Sequence, residues 1–271
     1  DFTAFKIALR KLGFYDAEET AVGAQMVVRE YKRLMDSGRF RNLITSACPA
    51  ACRMIQTYYP KALKYLAPVD SPMLAHAKMI HGCVPDARIV FIGPCIAKKR
   101  EAKESGLIDG VLTFEDLDEM FKEENIILSE ISNLPPENGQ GEFANLSKTF
   151  PVSQGIIKSF EGEPVQNFVY MAVDGAKRCV EALENMESLS NVFLELNTCH
   201  GSCINGPCNL PREGGIIKAT AEVQAYVKKE IKKRPLQENP PTPSISLFQN
   251  YPRIRDTSKA ASESEIRAIL A

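Results

Sequence analysis

Apolar residues in this chain fall into two patterns, helical recurrences and short continuous runs. Val22, Met26, Val27, Tyr31, Leu34 and Met35 recur at helical spacing and predict a helix over 17–37. Arg41-Asn-Leu-Ile-Thr predicts a short strand running into Ser46-Ala47-Cys48-Pro49. From about Ala50, Met54, Ile55, Tyr58, Ala62, Leu63 and Leu66 share one face of a helix that Pro60 kinks. Pro72 suits the first turn of a helix over 71–82. Ala87-Arg-Ile-Val-Phe-Ile reads as a buried strand leading to Gly93-Pro94-Cys95, and Val111-Leu112 as a short strand. Thr113 caps a helix over 114–125, with Asp116 in its first turn.

The second half continues the alternation. Residues 129–155 are rich in Asn, Pro, Gly and Ser and read as a long loop. A strand follows over 165–173, then a helix over 174–187 with Ala176, Val180 and Leu183 inward. Asn191-Val-Phe-Leu-Glu-Leu reads as a buried strand that opens into Cys199-His-Gly-Ser-Cys-Ile-Asn-Gly-Pro-Cys208. Val223, Tyr226, Val227 and Ile231 share a face of a helix over 219–233, which Pro235 stops. Five prolines make 234–261 an irregular surface wrap, and 262–271 reads as a helix cut in mid-pattern. We therefore read the chain as a piece of a longer, multidomain protein. The expected architecture is α/β: two lobes, 1–108 and 109–271, with mostly parallel sheets flanked by helices and together forming one functional domain.

Composition narrows the class. With 271 residues, 44% hydrophobic and 25% charged, the chain is an ordinary globular one. A formal net charge of −1 offers nothing to nucleic acid or an anionic membrane surface. No apolar run approaches the ~20 residues of a membrane span. Eight cysteines without a secretory signal favour metal or redox use over disulfides, in a reducing, cytoplasmic setting.

Four of those cysteines sit at three expected strand ends: Cys48, Cys95, and the pair Cys199 and Cys203. Open α/β sheets keep their sites at strand C-termini. Four thiolates converging there suit a 4Fe-4S cubane. The single–single–pair spacing is unlike the two close pairs of a zinc ribbon, although zinc and unrelated core cysteines remain alternatives at this point. Cys52 reads as core filler or a proton-carrying thiol, Cys83 and Cys179 as core, and Cys208 as a loop thiol. His200 either bonds a cluster sulfide or faces solvent, and His76 and His81 have no cluster company. Glu101 reads as a structural ion-pair partner or part of a polar exit path, and Lys99 and Arg100 as surface residues.

These motifs resemble those of the FeFe-hydrogenases. Thr45-Ser-Ala-Cys-Pro-Ala resembles that family's Thr-Ser-Cys-Cys-Pro, Gly93-Pro-Cys-Ile-Ala-Lys-Lys-Arg-Glu101 its Met-Pro-Cys-x-x-Lys-Lys-x-Glu, and Cys199-His-Gly-Ser-Cys-Ile-Asn-Gly its Cys-Pro-Gly-Gly-Cys-Ile-Asn-Gly. The resemblance runs from about residue 15 to 255. It implies an H-cluster domain with the cluster in a cleft between two lobes, catalysing reversible H2 oxidation and proton reduction. Cys48, Cys95, Cys199 and Cys203 would ligate the cubane, with Cys203 bridging to a two-iron subsite carrying CO and CN. Lys98 would donate to a cyanide. Pro94, Ser71, Ser153 and Gln154 would line the subsite.

The departures matter as much. The family's proton relay begins at a cysteine where this chain has Ala47, and its serine falls at Ala67. Its glutamates belong to helix 17–37, where only Glu30 is nearby and Tyr31 or Leu34 occupies the aligned positions. Gly93 replaces the second motif's Met. These changes resemble the sensory branch of the family: a slow enzyme used to sense H2, flanked by iron–sulfur modules and signalling domains and loaded by maturation factors. The rival readings are a conventional hydrogenase with a rerouted proton path and an iron–sulfur assembly protein without a two-iron subsite.

Overall fold

A computed structural model describes residues 2–131, 146–160, 165, 167–210, 213–233 and 244–256. Helix α1 (Phe2–Lys11) and α2 (Ala21–Asp36) precede strand β1 (Asn42–Ile44). Helix α3 (Pro49–Tyr58) follows, and at Pro60 the chain continues as a 3-10 turn, Pro60–Tyr65, instead of a kinked α-helix. Proline lacks the amide hydrogen an α-helix needs there. Then come α4 (Pro72–Cys83), β2 (Val90–Ile92), α5 (Ala97–Ser105), β3 (Gly110–Leu112), α6 (Phe114–Glu123) and the short α7 (Leu128–Ile131). After the expected long loop, most of which lies outside the described residues, β4 (Val169–Asp174), α8 (Ala176–Asn185), β5 (Val192–Asn197) and α9 (Gly215–Lys233) complete the order.

The strands form two parallel sheets, one ordered β1-β5-β4 and one pairing β2 with β3. The α/β class with parallel sheets flanked by helices is as expected. Each sheet takes strands from both sides of residue 108, since β1 pairs with β5 and β2 with β3. Strand β5 is central and buried at all six positions because helices cover both faces. Its side chains alternate with period two. Val192, Leu194 and Leu196 join Ile44 against α3 and α8, where Ile55, Cys179 and Leu183 complete one core. Phe193 joins Leu43 on the other face, against Val27, Tyr31, Leu34 and Met35 of α2. Buried Asn42 sets the register, since its amide oxygen accepts from Val192 N at 3.1 Å and its amide nitrogen donates to Leu189 O at 2.9 Å.

The smaller sheet departs from expectation. Its first strand is partly exposed, with Val90 36% accessible, because a two-stranded sheet has an unpaired edge on each side. Phe91 still reaches the core between α4 and α5, and Ile92 reaches the one between α1 and α6. Helix α1, which the apolar pattern did not reveal, supplies Ala4, Ala8 and Leu9 to that second core. Thr113 and Asp116 form the full capping box of α6, each side chain bonding the other's backbone amide. The described part of the C-terminal wrap lies on the molecule as expected: Asp70 N donates to Leu247 O, Gln249 N to Pro68 O, and Ile254 N to Gln56 O. Residues 262–271, where a helix cut in mid-pattern was expected, lie outside the described residues. Among the described residues no helix is long and apolar enough to cross a membrane.

Candidate metal centre

All three motif segments leave the C-terminal ends of parallel strands and converge. The first leaves β1. Thr45 N bonds Leu194 O at 3.0 Å and Thr45 Oγ1 accepts from Leu196 N at 3.1 Å, so this segment is fixed to β5. Ser46 is clamped next: its amide donates to Tyr31 Oη at 2.9 Å and its hydroxyl to Val69 O at 2.7 Å. Cys48 then takes the N-cap position of α3 in extended backbone, with Pro49 in the first turn. Its sulfur lies 3.6 Å from Thr198 Oγ1, just before Cys199.

The second segment leaves β2. Gly93 N still bonds Leu112 O at 3.0 Å, and Lys98 N bonds Cys95 O at 3.2 Å as α5 begins. The third leaves β5 through Gly201 and Ser202, both at positive φ, into a 3-10 turn at Cys203–Asn205. Gly206 is what lets this loop meet the second segment. A Cβ there would sit 2.6 Å from Pro94 O and 3.0 Å from Cys203 O. Cys208 N completes the junction by donating to Pro94 O at 3.3 Å.

The four thiols act on one another electrostatically. Burial pushes Cys203 up to about 12, with Cys48, Cys95 and Cys199 adding to it and Lys98 opposing. Burial also pushes Cys199 up to about 11, again with Cys48 and Cys95, and raises Cys95. Among the described residues no three His, Cys, Asp or Glu side chains close on a single-ion site. A cubane spreads its irons and so spaces four thiolates more widely than one ion does. Four cysteine thiols are the donor type that a 4Fe-4S cluster takes. Ser202, between Cys199 and Cys203, agrees: its hydroxyl is buried with no partner, and a cluster sulfide or thiolate would accept from it.

Lys98 is the cation of the site. Its side chain is almost buried, and its ammonium donates to Glu101 Oε2 at 2.7 Å and Ser71 Oγ at 3.0 Å, with a longer 3.5 Å contact to Ala47 O. Burial works to lower its pKa, but the Glu101 carboxylate and the Cys95 and Cys203 sulfurs outweigh it, so the net shift is upward and the charge is retained. Ser71 also caps α4, accepting from Leu74 N.

The other expected lining residues sit apart from Lys98 in the described contacts. Ser153 is near enough to the Asp174 carboxylate to favour its charged form, and Gln154 is exposed at φ +65. His200 faces solvent and Asp174, 3.4 Å from its Oδ1. Cys179 and Cys52 are buried core thiols, whereas Cys83, expected in the core, is exposed at the last residue of α4, where the apolar stripe has run out. Cys208, read as a loop thiol, is buried against Pro94. Lys99 pairs with Asp116 on the surface.

The Ala47 side chain lies against apolar neighbours, while its backbone carbonyl meets the Lys98 ammonium at 3.5 Å. Ala47 packs with Ala67, Tyr31, Leu34, Val69 and Ile156 in one cluster, while Glu30 turns outward to an exposed ion pair with Arg33.

Two buried carboxylates escaped sequence reasoning. Glu195 is fully buried on the Phe193 face of β5, and its Oε2 accepts from Ile156 N at 3.0 Å and Ile157 N at 3.1 Å. Burial raises it to about 7 against the pull of these amides and those of Gln154 and Gly155. A charge inside an otherwise apolar run was the available signal. Asp70, fully buried beside Ser71, gave no such signal.

Residues 2–207 match the family described as iron only hydrogenase large subunit, C-terminal domain. The chain belongs to the iron-only hydrogenase family. It is 27% identical over 304 residues to iron hydrogenase 1 of Clostridium pasteurianum, covering 90% of this chain and 52% of that one. It is 32% identical over 195 residues to the periplasmic [Fe] hydrogenase large subunit of Nitratidesulfovibrio vulgaris, covering 63% and 44%. The chain thus spans about half the length of the curated relatives it matches. Solved FeFe-hydrogenases share the fold. One, from work on oxygen inactivation of the H cluster, gives a TM-score of 0.67 at 17% identity over 93% of this chain and 88% of that one. A Glu-to-Gln variant from Chlamydomonas reinhardtii gives 0.65 at 16%, with the same coverage. The FeFe-hydrogenase domain fold expected from three short motifs is therefore the fold observed.

Proposed function

We propose that this chain holds an H-cluster and interconverts H2 with protons and electrons at low rate, serving H2 sensing. Cys48, Cys95, Cys199 and Cys203 hold the cubane, and Cys203 faces the two-iron subsite. The bound cluster supplies the H2 chemistry and the electron store. The protein contributes a dry pocket, a fixed cation and hydrogen bonds. Lys98 keeps its ammonium in the interior because Glu101 balances its charge, and so presents a charge-assisted donor to an anionic diatomic ligand.

The observation that carries the low rate is the apolar cluster around Ala47 and Ala67. Proton transfer needs groups within hydrogen-bond reach, and methyls offer none. Slow turnover with intact ligation suits a domain that reports redox state instead of consuming H2. Under this reading the chain works with flanking iron–sulfur modules and signalling domains and receives its subsite from maturation factors.

The test is to reconstitute the cubane, load the two-iron subsite, and record infrared spectra and H2 assays together. CO and CN bands with turnover at least ~100-fold below relay-complete relatives are expected. Rates matching those relatives favour a conventional hydrogenase with a rerouted proton path. An intact cubane that never acquires CO and CN bands favours an iron–sulfur assembly protein.

A further inference from the structure

Strand β4 forms an open edge of the larger sheet. The opposite edge is closed beyond β1, where Ala67 N donates to Ile44 O at 2.9 Å. Among the described residues β4 pairs with β5 alone. Val169 N and Gly175 N donate across that pair, to Asn191 O at 2.7 Å and Asn197 O at 3.0 Å. With a period of two, the backbone groups of Tyr170 and Ala172 therefore point the other way, to the open side. Edge strands are usually blunted by lysine, proline or a bulge. Val169-Tyr-Met-Ala-Val-Asp174 contains no lysine or proline, and it pairs with β5 residue for residue without a bulge. Its exposed side chains are apolar: Val169 is 60% accessible and Met171 41%.

Helix α8 runs beside this edge. Met171, Val173, Ala182 and Leu189 line a groove between them, together with Arg178 and Glu181 of the helix. Lys177 and Arg178 stand in the first turn of α8, and Glu181 and Glu184 follow toward its end, all four exposed. The helix dipole favours the opposite order, acids first and bases last, so these charges are not placed to stabilise their own helix. Arg178 holds its own chain only by a 3.9 Å contact with Asp174. Set antiparallel to a second copy of itself, α8 becomes complementary, with the bases of each helix facing the acids of the other.

We propose that β4 and α8 form the interface with a second copy of this chain, joined across a two-fold axis at Met171. A two-fold contact needs one patch that complements itself, and the open backbone, the apolar side chains and the charge order each meet that demand. The two β4 strands run antiparallel and merge the two three-stranded sheets into one. Tyr170 N donates to Ala172 O of the second copy, and Ala172 N to its Tyr170 O. Met171 meets its own copy on the axis, Val169 lies opposite Val173 of the second copy, and these apolar pairs fill the groove under α8. Arg178 faces Glu181 of the second copy over the join. The interface does not depend on what the four cysteines hold.

Analytical ultracentrifugation of the full chain as isolated, under reducing conditions, tests it. At micromolar concentration the mass should be that of two chains. Met171→Lys, which puts a charge on the axis, should give single chains with an unchanged circular dichroism spectrum. Arg178→Glu should weaken the dimer by about 10-fold, since each ion pair occurs twice, and adding Glu181→Arg should restore it. If Met171→Lys does not fold, this charge reversal and its rescue carry the test, because both side chains are exposed. Met171→Cys in a Cys83→Ser background should cross-link under mild oxidation, because directly opposed residues of this kind stand about 4.5 Å apart at Cα, within disulfide reach. Single chains at every concentration would overturn the proposal. So would a dimer that keeps its affinity in both Met171→Lys and Arg178→Glu, or a mass that grows without closing at two. Single chains whose Tyr170 and Ala172 amides resist hydrogen exchange would overturn it too, and would show that another segment of the same chain covers the edge.

Discussion

Glu195 should make this fold less stable as pH rises. An ordinary glutamate titrates near 4.5, and burial on β5 raises Glu195 to about 7. Between those values the folded chain holds a proton that the unfolded chain has lost. Its contribution to stability is therefore fully present below pH 4.5 and lost as pH rises through about 7. At about 1.4 kcal/mol for each pH unit, the loss is about 3 kcal/mol. Four amides, from Gln154 to Ile157, turn toward this carboxylate and oppose the rise, so the sign tests whether burial wins over their pull.

Glu195→Gln removes the titration and keeps the shape. The amide oxygen can still accept from Ile156 and Ile157, but the amide nitrogen meets the Asn197 amide, which now donates to Glu195 Oε1 at 3.3 Å. That mismatch should cost about 1–3 kcal/mol at pH 5, where the wild-type carboxyl is neutral. Toward pH 8 the variant should gain about 3 kcal/mol on the wild type, so the two stability curves cross. Urea unfolding of the metal-free, reduced chain across this range reads it out. With a slope of about 2 kcal/mol per molar urea, the relative midpoint should move by about 1.5 M. Groups unaffected by the substitution cancel in the difference. Parallel curves would show that Glu195 stays ionised and that the four amides outweigh its burial.

Three further outcomes follow from the same geometry. Lys98→Ala should keep the cubane, read from its visible absorbance, while weakening retention of the two-iron subsite by ~10–100-fold, read from CO and CN band intensity; equal intensity would remove the role given to Lys98. Gly155→Ala drives a methyl into the Thr149 carbonyl oxygen and to 2.7 Å from Val152 O, so thermal unfolding should show a loss of about 3 kcal/mol or more, and an unchanged midpoint would mean that the turn yields freely. Ala47→Cys should leave H2 turnover nearly unchanged, because Ala67, Tyr31 and Leu34 still surround it; a gain of ~100-fold would show that the thiol alone was missing.

Much of the fold was legible because its signals are local. Pro72 after Ser71, the Thr113–Asp116 box and the apolar runs each act within a few residues, and each element stands close to where its pattern lies. The strand at 90–92 was over-read as buried because a short apolar run does not say how many neighbours its sheet has. Helix α1 was missed because its apolar stripe acquires meaning only against Leu117 and Phe121, more than a hundred residues away. Cys83 shows the converse: helical spacing placed it on an apolar face, but α4 ends there and nothing covers it.

The site divides in the same way. The four cysteines and Lys98 stand out in the sequence because ligation chemistry demands particular residue types, and those types are visible one at a time. What surrounds them could not, because a pocket wall is specified by pairing. Asp70 is an unremarkable acid in sequence, and it becomes a buried one only because Leu247 and Ser246 return across it from the far end of the described chain. Tyr31 looks like one more apolar helix position, yet its hydroxyl receives the Ser46 amide and helps to set the backbone that leads to Cys48. Glu195 left a signal that the sequence reading did not take up, since a charge in a fully buried parallel strand must have a partner. Its partner is the backbone of residues 154–157, which bears no distinctive side chain. Pro151, at the start of that turn, accepts from Ile204 N, next to Cys203. The buried carboxylate therefore acts on the loop that carries Cys203 through backbone groups alone, a connection that no single-residue motif could encode.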